Sequence, residues 1–544
     1  IKDKTATGEE GFEITTDKSN GHITIKAKNS CGLLYGAYEL LRLQDSGMPV
    51  DNINIKENPA VKYRILNHWD NLDRSVERGY AGLSIWKWDE INGDKGTMSL
   101  ALKERLTTYC RANASIGING SVINNVNASP KMLNTLYIKK VKVLADMFRD
   151  YGNKVNEIYK EIPDFGGFLV KANSEGQPGP GDYHRTHAEG ANMLAEALAP
   201  HGGLVIWRSF VYGNHEGEDR VMQAVTEFKD LDGKFSSNVI LQTKNGPLDF
   251  QPREPYAPLF DQIKHTPMMA ELQITQEYLG QSRHLVYLAP MWKEFFSFVS
   301  PKQLIGIAGV ANTGDDANWC GHHFSQANWY AFGRLAWDPT LSSEQIADEW
   351  LKQTFTHDTA FINPMKEVMM SSREACVDYM MPLGLHHIFK ADHHYGPEPQ
   401  GFYPKYPIEW CPVYYHKADS TGIGFDRTMN GTKAVSQYRH PFDSIYNDIN
   451  TCPEEYLLWF HHVSWNHKMK DGTTLWQSLC AHYNRGVAEA KRFAETWSKM
   501  EPYVDRQRFM EVSQRMAEQV ENAEEWRDTC LKYFQTFSKQ EITK

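Results

Sequence analysis

The most constraining feature of this chain is a rhythm. Short apolar runs start near residues 168, 204, 239, 271 and 304, and each gives way to polar, chemically capable residues. Phe168-Leu169-Val170 ends in Lys171, Leu204 to Trp207 in Arg208, and Val239-Ile240-Leu241 in Lys244; Leu272 and Ile274 precede Glu277, and Leu304 to Val310 ends in Asn312. Two earlier runs behave alike, Val61 to Ile65 leading into Asn67-His68-Trp69-Asp70 and Ile118 to Ile123 into Asn124-Asn125. Helix-like stretches such as Ala188 to Leu198, Val221 to Phe228 and Phe324 to Trp337 lie between or after them. A repeat of a few tens of residues, strand then helix, with polar chemistry at strand C-terminal ends, predicts an α/β fold built on a (β/α)8 TIM barrel.

The barrel is assigned residues 59–340, close to the ~250 residues such a barrel uses. Ahead of it, residues 1–58 offer Phe12/Ile14, a turn at Asn20-Gly21 and Ile23/Ile25, which predicts a hairpin with a two-residue turn. A helix follows with an apolar stripe of Leu34, Ala37, Tyr38 and Leu41. Two strands and a helix cannot bury a core alone, so this is expected to be part of a small α/β domain. Residues 341–544 are assigned to a helical C-terminal domain, opening on the capping-box pattern Ser342-Ser343-Glu344-Gln345 and closing on Phe509, Val512, Met516, Val520 and Ala523 at three- and four-residue spacing. Residues 376–470 are rich in His, Tyr, Trp, Pro and Gly, which predicts long ordered loops.

Composition removes several classes of function. With 58 Lys plus Arg against 68 Asp plus Glu, the net charge of -10 argues against a surface that coats nucleic acid. The longest apolar run, Leu304 to Ala311, is far short of the ~18–20 residues of a membrane span. Eight scattered cysteines with no CxxC suggest buried thiols, neither a disulfide framework nor a zinc ribbon. The sequence opens at Ile1 without a signal-peptide pattern, and the compartment is not readable from it.

Three carboxylates near strand ends, Glu175, Asp249 and Glu277, suit glycosidic cleavage, which needs a proton donor for the leaving oxygen and, with inversion, a carboxylate that activates water. The same residue types also serve as loop caps and ion-pair partners. Lys171, Arg208 and Lys244 occupy strand ends in the same series. The two-residue strand period puts Lys171 on the face of Leu169, toward the barrel mouth. These cations either form salt bridges among the six charges or build a pocket for a carboxylate-bearing substrate. Trp69 either stacks on a sugar or belongs to the core. The histidine pairs 322–323, 386–387, 393–394 and 461–462 do not share a face, and HExxH is absent, so no metal is expected. Alternatives are a barrel glycosidase for neutral or N-acetylated sugars, a non-catalytic carbohydrate-binding barrel and a metal-dependent hydrolase.

The segments Arg64 to Asn71, Glu77 to Gly82, Lys171 to Pro180, Gly190 to Leu194, Gln273 to Tyr278, 419–427 and 452–462 resemble family 67 glycoside hydrolases, the xylan α-glucuronidases. The likeness runs from about residue 10 to the C-terminus. It implies an inverting, exo-acting enzyme that removes glucuronic acid, often 4-O-methylated, α-1,2-linked to the terminal non-reducing xylose of xylo-oligosaccharides. It further implies Glu175 as general acid, Asp249 and Glu277 as water-activating carboxylates, and Lys171, Arg208 and Lys244 as holders of the uronate. Trp69 and Val122 fall at glycone-pocket positions. No cofactor is implied, the partners are aldouronic acids, and a homodimer is expected. The resemblance also implies that much of the small N-terminal domain is absent from this sequence.

Overall fold

The computed structural model describes residues 1–3, 8–77, 82–127, 129–149, 162, 165–174, 176, 178–211, 217–391 and 394–543. The N-terminal region is a three-stranded antiparallel sheet, with strand Phe12–Thr16 between Ile23–Ala27 and Asn54–Glu57, under helix Ser30–Asp45. Two sequence expectations are corrected here. The hairpin turn is not two residues long, because Thr16 pairs with Ile23 and residues 17–22 form the loop. Asp17 organises it: its amide donates to the His22 carbonyl at 2.8 Å, and its carboxylate accepts the Ser19 amide at 2.9 Å. Nor does the helix bury the leucine stripe. Its packed face is Gly32, Tyr35, Gly36 and Glu39, while Leu41 is 50% exposed. A Cβ on Gly32 would lie 2.4 Å from the Gly11 carbonyl oxygen, and one on Gly36 would lie 2.7 Å from Ile25 Cγ2, so close backbone approach selected the glycine face. The third strand and Trp337, from the barrel helix Gln326–Trp337, complete this small core.

Seven parallel strands form the barrel sheet in the order Gly120–Val122, Tyr63–His68, Leu304–Ala311, Met268–Gln273, Val239–Lys244, Leu204–Arg208, Gly167–Val170. The last strand in sequence pairs with the first, which curls the sheet into a nearly closed (β/α)8-type barrel. These are the seven runs of the sequence rhythm. Inside, Ile65, Ile206, Ile240, Met269 and Ala308 form an apolar layer, joined by Val122 and Leu169. At a period of two, the next positions are Asn67, Asn124, Lys171, Arg208, Gln242 and Glu271, with Val310 the apolar exception, so on six of the seven strands the barrel changes from apolar to polar within one residue pair. Below, the buried Arg64 guanidinium reaches the carbonyls of Gly117 and Val61 at 2.6 and 2.8 Å and Glu10 at 2.8 Å, which fastens the N-terminal region to the barrel.

The C-terminal region is helical where expected. Helix Ser343–Thr354 carries the Ser342/Gln345 capping box, and Thr359–Met380, Leu475–Ser498 and Arg506–Ser538 pack together. Of residues 376–470, expected as long loops, 376–380 end the helix Thr359–Met380 and the remaining described ones are loops and short elements; one continuous apolar core runs through them and the barrel. Buried ion pairs cross the junction: Arg427 Nε to Asp219 at 2.7 Å and Arg373 to Glu294 at 2.8 Å. All eight cysteines are free thiols, and none of the described helices is long and apolar enough to cross a membrane.

Candidate active site

The barrel mouth is floored by charge. Arg208, at the end of its strand, donates from Nε and Nη2 to Glu271 at 2.9 and 2.6 Å, and Gln242 Nε2 donates to the same carboxylate at 2.7 Å. All three side chains point inward because they sit two residues beyond the apolar layer on adjacent strands. The two-point geometry fixes both planes, as expected of a bidentate guanidinium–carboxylate pair.

Beside it, Lys244 lies between the rings of Phe210 and Phe250, its Nζ 3.1 and 4.7 Å from the two centroids, and pairs with Asp249. Burial pulls the Lys244 ammonium below its ordinary range, opposed by Asp249. Burial also pushes the Asp249 carboxyl up, but Lys244, the Tyr278 hydroxyl at 2.5 Å and Arg220 outweigh it and hold Asp249 well below the usual carboxylate range. The loop carrying Asp249 is shaped from within by Glu254. This half-buried carboxylate accepts the amides of Leu248, Asp249 and Gln251 at 2.7, 2.9 and 2.7 Å. Burial lifts its pKa to about 7 in spite of those donors. Gly246 lets the loop close over it, since a Cβ there would stand 2.2 Å from Glu254 Oε2.

Glu277 is buried on the next strand end. It receives Gln273 Nε2 on one oxygen at 3.0 Å and meets His394 Nδ1 with the other at 2.9 Å. The His394 ring stacks on Tyr278 at 4.7 Å, so the partner of one carboxylate lies against the partner of the other. His387 is nearby, its amide bonded to Gln251 at 2.8 Å. Burial, Arg220 and His394 together hold its imidazole well below the usual pKa. A barrel mouth holding paired carboxylates and buried cations can activate water and receive an anionic group. Among the described residues no cluster of three or more candidate ligands suggests a metal.

Comparison with known families bears on what such a mouth is for. The model described as the glycosyl hydrolase family 67 middle domain matches residues 43–156 and 152–319, and that of the family 67 C-terminus matches residues 320–544. The chain belongs to glycosyl hydrolase family 67. A probable alpha-glucuronidase A of Aspergillus clavatus is 38% identical over 588 residues, covering 97% of this chain and 68% of that protein. An alpha-glucuronidase A of Emericella nidulans is 38% identical over 578 residues, covering 94% and 67%. The family 67 chain thus spans about two thirds of these relatives. Its fold is similar to that of a family 138 glycoside hydrolase targeting pectin rhamnogalacturonan II, with a TM-score of 0.53 at 12% identity, covering 96% of this chain and 64% of that one.

Within this family 67 chain, the structure brings Arg208, Lys244, Asp249 and Glu277 together at the barrel mouth. Lys171 faces the same mouth and donates to Asn127 Oδ1 at 2.7 Å. Trp69 is buried in the main core, 7% exposed, and its indole Nε1 has no hydrogen-bond partner among the described residues. Val122 ends the strand beside Asn67, half-buried. Buried oxygens of Asn67, Asn124 and Asn312 are likewise without partners, a concentration of unused hydrogen-bonding capacity around this wall. Glu175 lies outside the described residues. The loop that leads to it starts at Asn173, in the left-handed region with φ 53°, against which Gly179 packs so closely that a Cβ would sit 1.6 Å from Asn173 Oδ1.

Of the expected salt bridges among six charges, Lys244 with Asp249 is present, while Arg208 pairs with Glu271, which the sequence reading passed over. The strand period that puts Lys171 on an inward face would, applied to the strand Met268–Gln273, have marked Glu271 as well, two residues beyond the inward Met269. Glu254 and His394 were also missed. Glu254 resembles any loop acid, and His394 reaches the site only through the path of the irregular C-terminal segment.

Proposed function

We propose that the chain is an inverting, exo-acting α-glucuronidase that removes (4-O-methyl)glucuronic acid α-1,2-linked to the terminal non-reducing xylose of xylo-oligosaccharides. The observation that carries this reading is one mouth in which Asp249 and Glu277 stand beside the buried cations Arg208 and Lys244, in a family 67 chain whose curated relatives are named alpha-glucuronidases.

In this reading Glu175 protonates the glycosidic oxygen while Asp249 and Glu277 activate water on the opposite face of the sugar. The donor and the base are then ~6.5–9.5 Å apart, as inversion requires. Lys171, Arg208 and Lys244 favour a bound uronate, with Trp69 and Val122 shaping the pocket around the ring. Lys171, four residues before Glu175 in the sequence, favours the acid's ionised form, so the bound uronate has a second role in this reading: it neutralises the cations and lets the acid keep its proton.

The test is release of glucuronic acid from aldouronic acids, followed by proton NMR in the first minutes. The reading expects the β-anomer first, a large loss in Glu175→Ala on natural oligosaccharides and a much smaller one on an aryl glucuronide whose leaving group needs no proton. An α-anomer as first product overturns inversion. Equal losses on the two substrates remove Glu175 as the acid.

A further inference from the structure

The seven-stranded sheet has two edges, Gly120–Val122 and Gly167–Val170, and among the described residues no ladder pairs them. Lys171 directly follows the second edge strand and so stands at this seam. A lysine is a compact charge on a flexible four-carbon stem, and its place at a mouth is set by what its ammonium meets. Here it donates to Asn127 Oδ1 at 2.7 Å, and Asn127 comes from the loop after the first edge strand. At its mouth end the seam is therefore spanned by side chains.

Asn127 is itself held twice. Its backbone amide donates to Asn125 Oδ1 at 3.0 Å, and its side-chain amide reaches Glu77 Oε2 at 3.4 Å. Asn125, only 4% exposed, donates to the same Glu77 oxygen at 2.6 Å, the short bond expected of an ionised acceptor. The backbone fixes Glu77 in turn: its amide donates to the Trp69 carbonyl at 2.9 Å, and its carbonyl accepts Asn312 Nδ2 at 2.7 Å. One carboxylate thus stands where the segments that follow four strands converge, those of Trp69, Asn125 and Asn312 and, through Asn127, that of Lys171. An asparagine side chain offers an acceptor and two donors on one rigid group. Asn127 turns the acceptor to the ammonium and a donor to the carboxylate, so the position of Glu77 is passed on to Lys171.

We propose that Glu77 is a positioning residue for uronate recognition: through Asn125 and Asn127 it sets where the Lys171 ammonium stands, and with it the preference for a carboxylate-bearing sugar. This rests on the reading above, in which Lys171 receives the uronate. An ammonium ordered before the ligand arrives binds better than a mobile one, because the ordering of its stem is not charged against binding.

Glucuronic acid and its uncharged methyl ester, used as competitive inhibitors of aryl glucuronide hydrolysis, separate this role from general support of the pocket. Glu77→Ala is expected to weaken inhibition by the acid at least fivefold and by the ester less than twofold, whereas a wall that loosens around Trp69 weakens both alike. Asn127→Ala is expected to reproduce that pattern. The double variant should exceed the larger single loss by less than twofold, since residues acting along one path are not additive. Glu77→Gln, which keeps an acceptor oxygen for Asn125, is expected to stay within threefold of wild type. Equal weakening of the two inhibitors, no weakening in the alanine variants, additive single losses, or Glu77→Gln as poor as Glu77→Ala overturns the proposal. Where Glu77→Ala does not fold, Asn127→Ala with an unchanged preference for the acid overturns it as well. A wild-type enzyme that releases no glucuronic acid from aldouronic acids, or that does not prefer the acid to its ester, removes the functional reading itself. An active wild type that holds this preference, with variants that keep it, removes only this inference.

Discussion

Arg208 and Glu271 form a closed fork at the floor of the barrel mouth, two hydrogen bonds of 2.9 and 2.6 Å between side chains that are almost wholly buried. Removing one partner leaves the other's charge uncompensated. Glu271→Ala is expected to cost about 3–5 kcal/mol, measured as a shift in the urea unfolding midpoint at unchanged slope. A cost near zero would show that Arg208 finds another partner. Arg208→Lys keeps the charge but not the fork, and is expected to weaken discrimination between glucuronic acid and glucose at the glycone.

Stability is expected to fall as pH rises through the mildly acidic range. Burial lifts both Asp70 and Glu254 to about 7, against Ser84 in the first case and three backbone amides in the second. An unfolded chain releases such protons near ~4. Between those limits the folded state binds more protons than the unfolded one, so the contribution present at pH ~4 is lost by pH ~7. Urea midpoints at pH 5 and 7.5 measure it, and Asp70→Asn with Glu254→Gln should flatten the difference. Asp249 and Glu294 act oppositely, since both are depressed in the folded protein and their contribution disappears only on strong acidification.

Gly179→Ala places a methyl against Asn173 at a separation no packing tolerates. The loop between these residues must shift, and it contains Glu175. A loss of kcat of tenfold or more is expected, with a stability cost of about 1–3 kcal/mol. Wild-type kcat in this variant would mean that the loop's path does not set the acid's position.

Trp337 joins two regions. It stacks on Phe12 at 5.8 Å, meets Tyr35 edge-on at 5.2 Å, lies 5.2 Å from the Arg64 guanidinium and donates its indole N–H to Glu57 at 2.9 Å. Trp337→Ala is expected to cost about 3–5 kcal/mol. Turnover per folded molecule should hardly change, since none of these groups lies near the mouth. Limited proteolysis should then cut first within residues 1–58.

How far the sequence could be read depended on the range of the interactions involved. Strands declared themselves because an apolar inner layer repeats on each, and Lys244 with Asp249 was visible because strand and following loop are five residues apart. The packed face of helix Ser30–Asp45 was misjudged because hydrophobicity favours Leu34 and Leu41, whereas backbone approach favours Gly32 and Gly36. The loop at 17–22 followed Asp17 and not the Asn-Gly pair. His394 illustrates the limit: its pairing with Glu277 depends on how residues 376–470 cross the barrel, and no local pattern encodes that.

The Glu254 clamp has a consequence for how such a site is kept. Three amides converge on one side chain, so the aim of Asp249 is stored in a residue that need never meet a sugar. Strand ladders distribute their geometry over many bonds and degrade gradually; this loop gathers three of its amides on one acceptor. Losing the acid at 254 would leave the bonds of Asp249 to Lys244 and Tyr278 but take away the acceptor of three loop amides, so the cost would fall on the loop's path and not on the strands.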